Sequence, residues 1–125
     1  MSDDLSKDFP SDNVNCSNEV LLVLADTQSM DVLKLLSNEE LTIQQVSKRL
    51  DIPQSTAYRK IRKLEKLKII KKTKVVRTLE GLDESYYKNW ISEITVTYKN
   101  GKISYKLTHL TMEDKIVRLW QKFSE

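Results

Sequence analysis

The chain has 125 residues, enough for one globular domain with a single buried core and too few for two ordinary ones. Hydrophobic residues make up 39% and charged residues 31% of the sequence, a balance typical of water-soluble domains. The longest apolar run, Val20–Ala25, is far shorter than the roughly 20 residues of a membrane helix, and the acidic start MSDDLSKDFP does not resemble a signal peptide. These features predict a cytoplasmic protein with no membrane partner.

Motifs for catalysis and for metal binding are missing from the sequence. There is no glycine-rich phosphate loop, no nucleophile motif and no histidine with a catalytic partner, so we do not expect an enzyme. Cys16 stands alone in a polar stretch, and His109 has no cysteine or cluster of carboxylates near it in the sequence. We therefore expect no metal site and no cofactor, and we assign Cys16 no role.

Charge is strongly segregated along the chain. Residues 1–40 carry two Lys/Arg and nine Asp/Glu, residues 41–77 carry twelve and two, and residues 78–125 carry seven of each. Clustered cations repel one another unless an anionic partner offsets the repulsion. The middle third is therefore predicted to bind a polyanion, and a merely solvated basic face is the alternative.

The first third of the chain is predicted to be a tail followed by two helices. Residues 1–17 are acidic and have little apolar surface to bury, so we expect a disordered tail. Two helical pieces follow from Asn18, with a break near Ala25 and with Asp26 or Thr27 placed to cap the second.

The basic segment is predicted to contain two helices with a short turn between them. In LTIQQVSKRL, Thr42 and Gln45 stand at capping-box spacing, and this helix should end at Asp51-Ile52-Pro53 because proline does not continue a helix. A second helix is predicted over about 54–67. Its apolar residues recur at i, i+4 and i+7 and must face the core, which leaves the polar and cationic side chains outside. The core-facing residues are Ala57, Ile61 and Leu64.

After Leu67 the sequence pattern changes to that of β-strands. IIKKTKVVRTLE is rich in β-branched residues and leads into a polar turn, GLDES, around Gly81. ISEITVTY and KISYKLT flank Asn100-Gly101, a pair suited to a tight hairpin. The segment 81–106 is longer than a minimal wing requires and can add a third strand or a partner surface. TMEDKIVRLWQKFSE then predicts an amphipathic helix at 111–125.

This order of elements predicts an α+β fold, a winged helix-turn-helix over residues 18–110 with a β-hairpin wing, an extra strand and a C-terminal amphipathic helix. In this motif the second helix of the pair enters the major groove of DNA, where its first residues reach base edges and later cations reach phosphates. The partner is therefore predicted to be double-stranded DNA. The predicted DNA-binding residues are Gln54, Ser55, Thr56, Tyr58, Arg59, Arg62, Lys63, Lys72, Lys74 and Arg77.

The segment LTIQQVSKRLDIPQSTAYRKIRKLEKLKIIKKTK resembles the helix-turn-helix and first wing strand of ArsR-like winged-helix transcription regulators of the kind common in archaea. The resemblance implies a dimeric, sequence-specific DNA-binding regulator whose recognition helix contacts DNA through Gln54, Ser55, Thr56, Tyr58, Arg59 and Arg62. The metal-sensing members carry paired cysteines near the DNA-binding helices, and this chain has none there, so arsenic or zinc sensing is not expected. The sequence does not identify a small-molecule effector.

The first and last helices carry more apolar surface than a small three-helix core obviously covers. A homodimer would bury this surface and set two recognition helices about 34 Å apart, one turn of DNA. The alternative is that both helices complete the core of the monomer. The predicted dimer-interface residues are Leu21, Leu24, Ile116, Leu119, Trp120 and Phe123.

Two other functions fit the same fold. A winged helix can serve as a protein–protein interaction module within a transcription or chromatin assembly, with its basic face on an acidic partner. RNA binding is a third possibility, although the cations lie on a helix and not on an aromatic-studded sheet face.

Overall fold

The computed structural model describes residues 17–111, where four helices and five strands follow one another. The helices are α1 (Ser17–Ala25), α2 (Thr27–Asn38), α3 (Ile43–Leu50) and α4 (Gln54–Lys66). The strands are β1 (Leu41–Thr42), β2 (Ile70–Arg77), β3 (Asp83–Asn89), β4 (Ile91–Lys99) and β5 (Lys102–His109). The predicted tail and the predicted C-terminal helix lie almost wholly outside the described residues and stay predictions. The chain divides at Asn89 into two compact units, Asn18–Asn89 and a second one that contains the described residues from Trp90 onward.

Helix α2 begins at the predicted break because Asp26 caps it. The Asp26 carboxylate accepts hydrogen bonds from the Ser29 amide (3.1 Å) and the Ser29 hydroxyl (2.5 Å). The bond from the Ser29 amide satisfies a backbone donor of the first turn that has no carbonyl acceptor inside the helix. At the other end, both guanidinium nitrogens of Arg49 in α3 donate to the carboxylate of Glu39, the C-cap residue, at 2.8 and 3.1 Å.

Helix α3 begins with the predicted capping box. The Thr42 hydroxyl accepts from the Gln45 amide (3.1 Å), and the Gln45 side chain accepts from the Thr42 amide (2.9 Å). The helix ends at Asp51, whose φ of 55° is left-handed, and the Ser47 hydroxyl donates to the Ile52 carbonyl across the turn (2.6 Å). The helix-turn-helix turn is therefore held by local hydrogen bonds, and Pro53 is the N-cap residue of α4.

Strands β2 and β3 form the wing. Their antiparallel register runs from Ile70 opposite Asn89 to Arg77 opposite Asp83, with one irregularity between Lys72 and Lys74. Gly81, with φ of 83°, lies in the turn that joins them, where the Thr78 amide donates to the Leu82 carbonyl (2.7 Å). The polar segment after Gly81 was expected to be a turn, but its last residues begin β3.

The two-residue strand β1 pairs with β3 and makes it the central strand of a three-stranded sheet, with Leu41 opposite Tyr87 and Thr42 opposite Tyr86. Strands β4 and β5 form a second hairpin around Asn100 and Gly101, both at positive φ. The predicted hairpin there is confirmed. The extra strand expected in addition to the wing hairpin corresponds to β1.

The core of the first unit contains side chains from every helix and from the sheet. Val20, Val32, Leu36, Val46, Ala57, Ile61, Leu64 and Ile69 are completely buried. The three residues of α4 predicted to face the core are among them, so the orientation predicted for this helix is confirmed. Tyr87 of β3 is also buried, and burial raises the pKa of its hydroxyl above the ordinary value.

Candidate nucleic-acid interface

Helix α4 presents its polar face to solvent. Ala57, Ile61 and Leu64 fix the opposite face in the core, so the remaining side chains project outward over a length of about 20 Å. Gln54, Ser55, Arg59 and Lys63 are exposed, Thr56 is half-buried, and Tyr58 retains 52% of its exposure. The predicted helix contacts thus share one surface.

The start of α4 is open to an acceptor from outside the chain. Its N-cap residue is Pro53, which has no side-chain acceptor, while the Ala57 amide already donates to the Pro53 carbonyl (3.0 Å). The amides of Gln54, Ser55 and Thr56 precede the first acceptor inside the helix. Such amides, at the positive end of the helix dipole, favour a phosphate oxygen.

Two cations of α4 are bound to α1 or to its end. Lys60 Nζ donates to the Asp26 carboxylate at 2.6 Å, and Lys63 Nζ lies 3.6 Å from the carboxylate of Glu19. The hydrogen bond from Lys60, together with those from Ser29, lowers the pKa of Asp26 below its ordinary value. Of these two lysines only Lys63 was predicted to contact DNA. Its ammonium group lies beside the Glu19 carboxylate, but the distance of 3.6 Å is long enough for the side chain to rotate toward another anion.

The arginines of α4 are less restrained. Arg59 contacts the Thr56 hydroxyl at 3.5 Å, and Arg62 lies 3.5 Å from Glu65 and 6.0 Å from the ring centre of Tyr58. Within residues 17–111, Arg59 and Lys66 form no ion pair. A guanidinium in such a position can offer two parallel donors to guanine or to a phosphate.

The wing carries the other three predicted contacts, all exposed on β2. Lys74 Nζ lies 4.8 Å above the ring of Tyr86, and Arg77 lies 3.5 Å from Asp83. Lys72 is opposite Tyr87 in the register. The predicted set therefore falls on two elements of one unit, the helix α4 and the edge strand β2.

The wing tip is apolar, a feature the sequence analysis did not predict. Val75, Val76, Leu79 and Leu82 are 53%, 41%, 105% and 66% exposed. Their β-branched and leucine pattern is the same one that predicted a strand, so it gave no sign that these side chains face water.

A groove of about 850 Å³ runs between α1 and α4. On the α1 side it is lined by Glu19, Leu22 and Val23, and on the α4 side by Tyr58, Arg59 and Lys66 among others. Leu22 is 68% exposed. The groove was not predicted from the sequence. The signal for it was the helical spacing of Glu19 and Leu22 on α1, which Asp26 continues just after the helix ends.

The dimer-interface prediction is only partly within reach of the structure. Leu21 and Leu24 are half-buried on α1, while Ile116, Leu119, Trp120 and Phe123 lie outside the described residues.

Over residues 17–111, no three His, Cys, Asp or Glu side chains come together in a way that would hold a metal ion. No helix in that range is long and apolar enough to cross a bilayer.

Comparison with known families supports the helix-turn-helix assignment. The family described as "Helix-turn-helix domain" matches residues 24–73, from the end of α1 to the middle of β2. No curated protein sequence matches the chain.

Three solved structures with a partly similar chain course can be compared with this chain. Reduced HlyU from Vibrio cholerae N16961 is 15% identical over 84% of each chain, with a TM-score of 0.49. A possible transcriptional regulator from Methanosarcina mazei Go1 is 16% identical over 86% of this chain and 78% of its own, with a TM-score of 0.49. NolR from Sinorhizobium fredii is 13% identical over 85% and 81%, with a TM-score of 0.40. Similarity at this level carries no argument about function.

The family match and the geometry lead to the same assignment. A capped helix, a three-residue turn, a second helix with an outward polar face and a β-hairpin follow one another within residues 24–89. This part of the chain has the fold of a winged helix-turn-helix.

Proposed function

We propose that the protein is a sequence-specific double-stranded DNA-binding transcription regulator, with α4 in the major groove and β2 on the phosphate backbone. Base contacts are assigned to Gln54, Ser55, Tyr58, Arg59 and Arg62, and phosphate contacts to Thr56, Lys63, Lys72, Lys74 and Arg77. We further propose that it acts as a cytoplasmic homodimer of the ArsR-like type common in archaea.

One observation carries this proposal. Helix α4 is fixed by three completely buried side chains, and the face it leaves outside holds hydrogen-bonding groups at its start and cations along its length. A helix 10–12 Å wide fits the major groove of B-DNA, which is about 12 Å across. The short groups at the helix start are those that would reach base edges first.

The wing supplies the second half of the argument. Its three cations lie on an edge strand, where they meet solvent and not another strand. With Lys63 they give four phosphate contacts per protomer from charged groups. Release of counterions then predicts that log K falls with log salt with a slope of about −3.6 for each protomer bound.

The test is fluorescence anisotropy with a labelled duplex from the promoter of the protein's own gene, compared with a random duplex across a salt series. Wild-type protein should prefer the promoter and show a steep salt dependence. Arg59→Ala/Arg62→Ala should remove the preference, because two bidentate base contacts are worth about 1–3 kcal/mol each.

A matched control removes the same charge from another surface. Lys99→Ala/Lys106→Ala takes two exposed cations from the second hairpin and should leave promoter preference unchanged. If both double variants weaken binding equally while remaining folded, the effect is one of net charge and α4 is not the reading helix.

A protein-interaction module is the second candidate, and the apolar wing tip is the observation that favours it. Exposed Leu79 and Leu82 flank Glu80, and acidic Asp83 follows. Apolar and acidic side chains suit a protein partner better than a phosphate backbone. Weak DNA binding that does not discriminate between the two duplexes would favour this function.

A further inference from the structure

The groove between α1 and α4 has a composition that suits a ligand. Its volume of about 850 Å³ falls in the range of small-molecule sites. The apolar part is made by the exposed Leu22, the buried Val23 beneath it and the ring of Tyr58. Cations border it along α4.

Within the described residues, some of these cations form ion pairs with carboxylates, and Arg59 does not. Leu22 lies one turn from both Glu19 and Asp26, the carboxylates that hold Lys63 and Lys60. Leu22 is thus an apolar side chain between two ion pairs, one that joins α1 to α4 through Glu19 and one that joins the N-cap of α2 to α4 through Asp26. Arg59 also lines the groove and has no carboxylate partner within residues 17–111.

Lys63 adds a second, adjustable cation. Its distance of 3.6 Å from Glu19 is longer than a hydrogen bond, and about half of its side chain is exposed. It can therefore turn toward a new acidic group without breaking a short contact. Lys60, held at 2.6 Å and mostly covered, cannot do so at the same low cost.

We propose that this groove binds a small amphipathic anion, an aliphatic or aromatic carboxylate or sulfonate, with its acidic group at Arg59 and its apolar body on Leu22. A planar acidic group matches the two parallel donors of a guanidinium. An anion without an apolar body would gain nothing from Leu22, and an apolar ligand without charge would leave Arg59 unused.

The ligand competes with DNA, a part of the inference that rests on the proposed function. Tyr58, Arg59, Arg62 and Lys63 line the groove and also belong to the proposed DNA surface. Arg59 cannot bind the acidic group of the ligand and a DNA base or phosphate at the same time. Ligand binding therefore releases the DNA without any change in the fold.

The probe for the groove is 8-anilinonaphthalene-1-sulfonate, an aromatic sulfonate whose fluorescence rises in apolar sites, titrated into the full chain. Leu22→Gln should bind it at least about fivefold more weakly, since most of the apolar contact of one leucine is lost. Leu82→Gln is the matched control, because Leu82 is 66% exposed against 68% for Leu22. It should bind the probe as the wild type does.

Two variants that each remove one arginine test the proposed contact with the acidic group of the ligand. Arg59→Gln should weaken probe binding about tenfold or more, whereas Arg77→Gln, which removes an arginine from the wing, should not. Equal affinity of wild type and Leu22→Gln, or an equal loss in Leu82→Gln or Arg77→Gln, would overturn the proposal. So would a lower sedimentation mass of Leu22→Gln, because Leu22 would then be covered by a second copy.

Competition is measured separately on the labelled duplex. The probe, and decanoate as an aliphatic analogue, should displace wild-type protein from DNA and displace Leu22→Gln far less, while both proteins bind DNA equally without it. If no variant binds DNA, the proposed function fails, but the probe titrations still decide the groove. If the probe binds as expected and DNA stays bound, the competition is refuted.

Discussion

Asp26 performs three tasks with one carboxylate, and its replacement by alanine gives the most informative stability measurement. It caps α2 through the Ser29 amide, accepts from the Ser29 hydroxyl, and holds Lys60 of α4. Loss of an N-cap costs about 1 kcal/mol. The ion pair adds about 0.5 kcal/mol, since both partners keep part of their exposure.

The Ser29 hydroxyl accounts for the third part of the stability lost in Asp26→Ala. Ser29 is only 4% exposed, so removal of its acceptor leaves a buried donor unsatisfied, at about 1 kcal/mol. Asp26→Ala should therefore lower the free energy of unfolding by about 2.5 kcal/mol in total. The double variant Asp26→Ala/Ser29→Ala should recover about 1 kcal/mol of this, because it removes the unsatisfied donor as well.

Urea unfolding followed by circular dichroism at 222 nm measures these differences. Asp31→Ala is the control, an exposed aspartate of α2 whose loss should change the free energy by less than about 0.5 kcal/mol. A loss below about 0.5 kcal/mol for Asp26→Ala, or a double variant less stable than the single one, would refute the assignment of these contacts.

Three further predictions follow from the described contacts. Lys60 and Ser29 hold the pKa of Asp26 below its ordinary value of 3.8. Its stabilising contribution should therefore be complete above the unfolded-state pKa and be lost as the pH falls through the lowered folded-state pKa. In urea unfolding at decreasing pH, wild type should lose more stability than Asp26→Ala over this range. Ile61→Ala should lower the free energy of unfolding by about 3 kcal/mol, because the side chain is completely buried. Tyr58→Ala, on the outer face of α4, should lower it by less than about 1 kcal/mol. Equal losses in urea unfolding would contradict the orientation of α4. Gly101→Ala should weaken the second hairpin by about 1 kcal/mol, since Gly101 has φ of 75°. Amide hydrogen exchange in β4 and β5 should then be faster than in wild type, and unchanged exchange would contradict the role given to this glycine.

The helix-turn-helix was predictable because its signals are local. The capping box at Thr42 and Gln45, the proline at position 53 and the i, i+4, i+7 spacing of Ala57, Ile61 and Leu64 all act within one or two turns. The hairpin at Asn100-Gly101 was predictable for the same reason. Each of these features needs no knowledge of what lies elsewhere in the chain.

Strands β1 and β3 were not predictable, because the pattern within each segment is too weak and each is defined by the strand that it pairs with. DESYYKN has no clear apolar alternation, and two residues at Leu41–Thr42 are too few to carry a pattern. Strand β1 is defined by pairing over more than 40 positions, with Leu41 opposite Tyr87, and β3 by its pairing with both β1 and β2. Sequence patterns record local preference, and this pairing is decided by tertiary contact.

The candidate site shows the same division. The outward cations of α4 follow from helical periodicity, so the sequence predicted which side chains face solvent. It did not predict that Lys60 would bind a carboxylate 34 positions away in the chain or that Lys63 would lie beside Glu19. The count of available cations on α4 is therefore lower than the sequence suggests, and Arg59 and Arg62 carry more of the proposed readout.

The pairing of β1 with β3 has a mechanical consequence. Thr42 is at once the last residue of β1 and the N-cap of α3, so the wing is fastened to the residue from which the helix-turn-helix starts. The spacing between α4 and the wing is thereby set in advance. In the proposed complex the distance between α4 and the wing is fixed, so the DNA duplex must bend or change its groove width to contact both. Selectivity at base pairs that no side chain touches would then come from how easily each DNA sequence deforms.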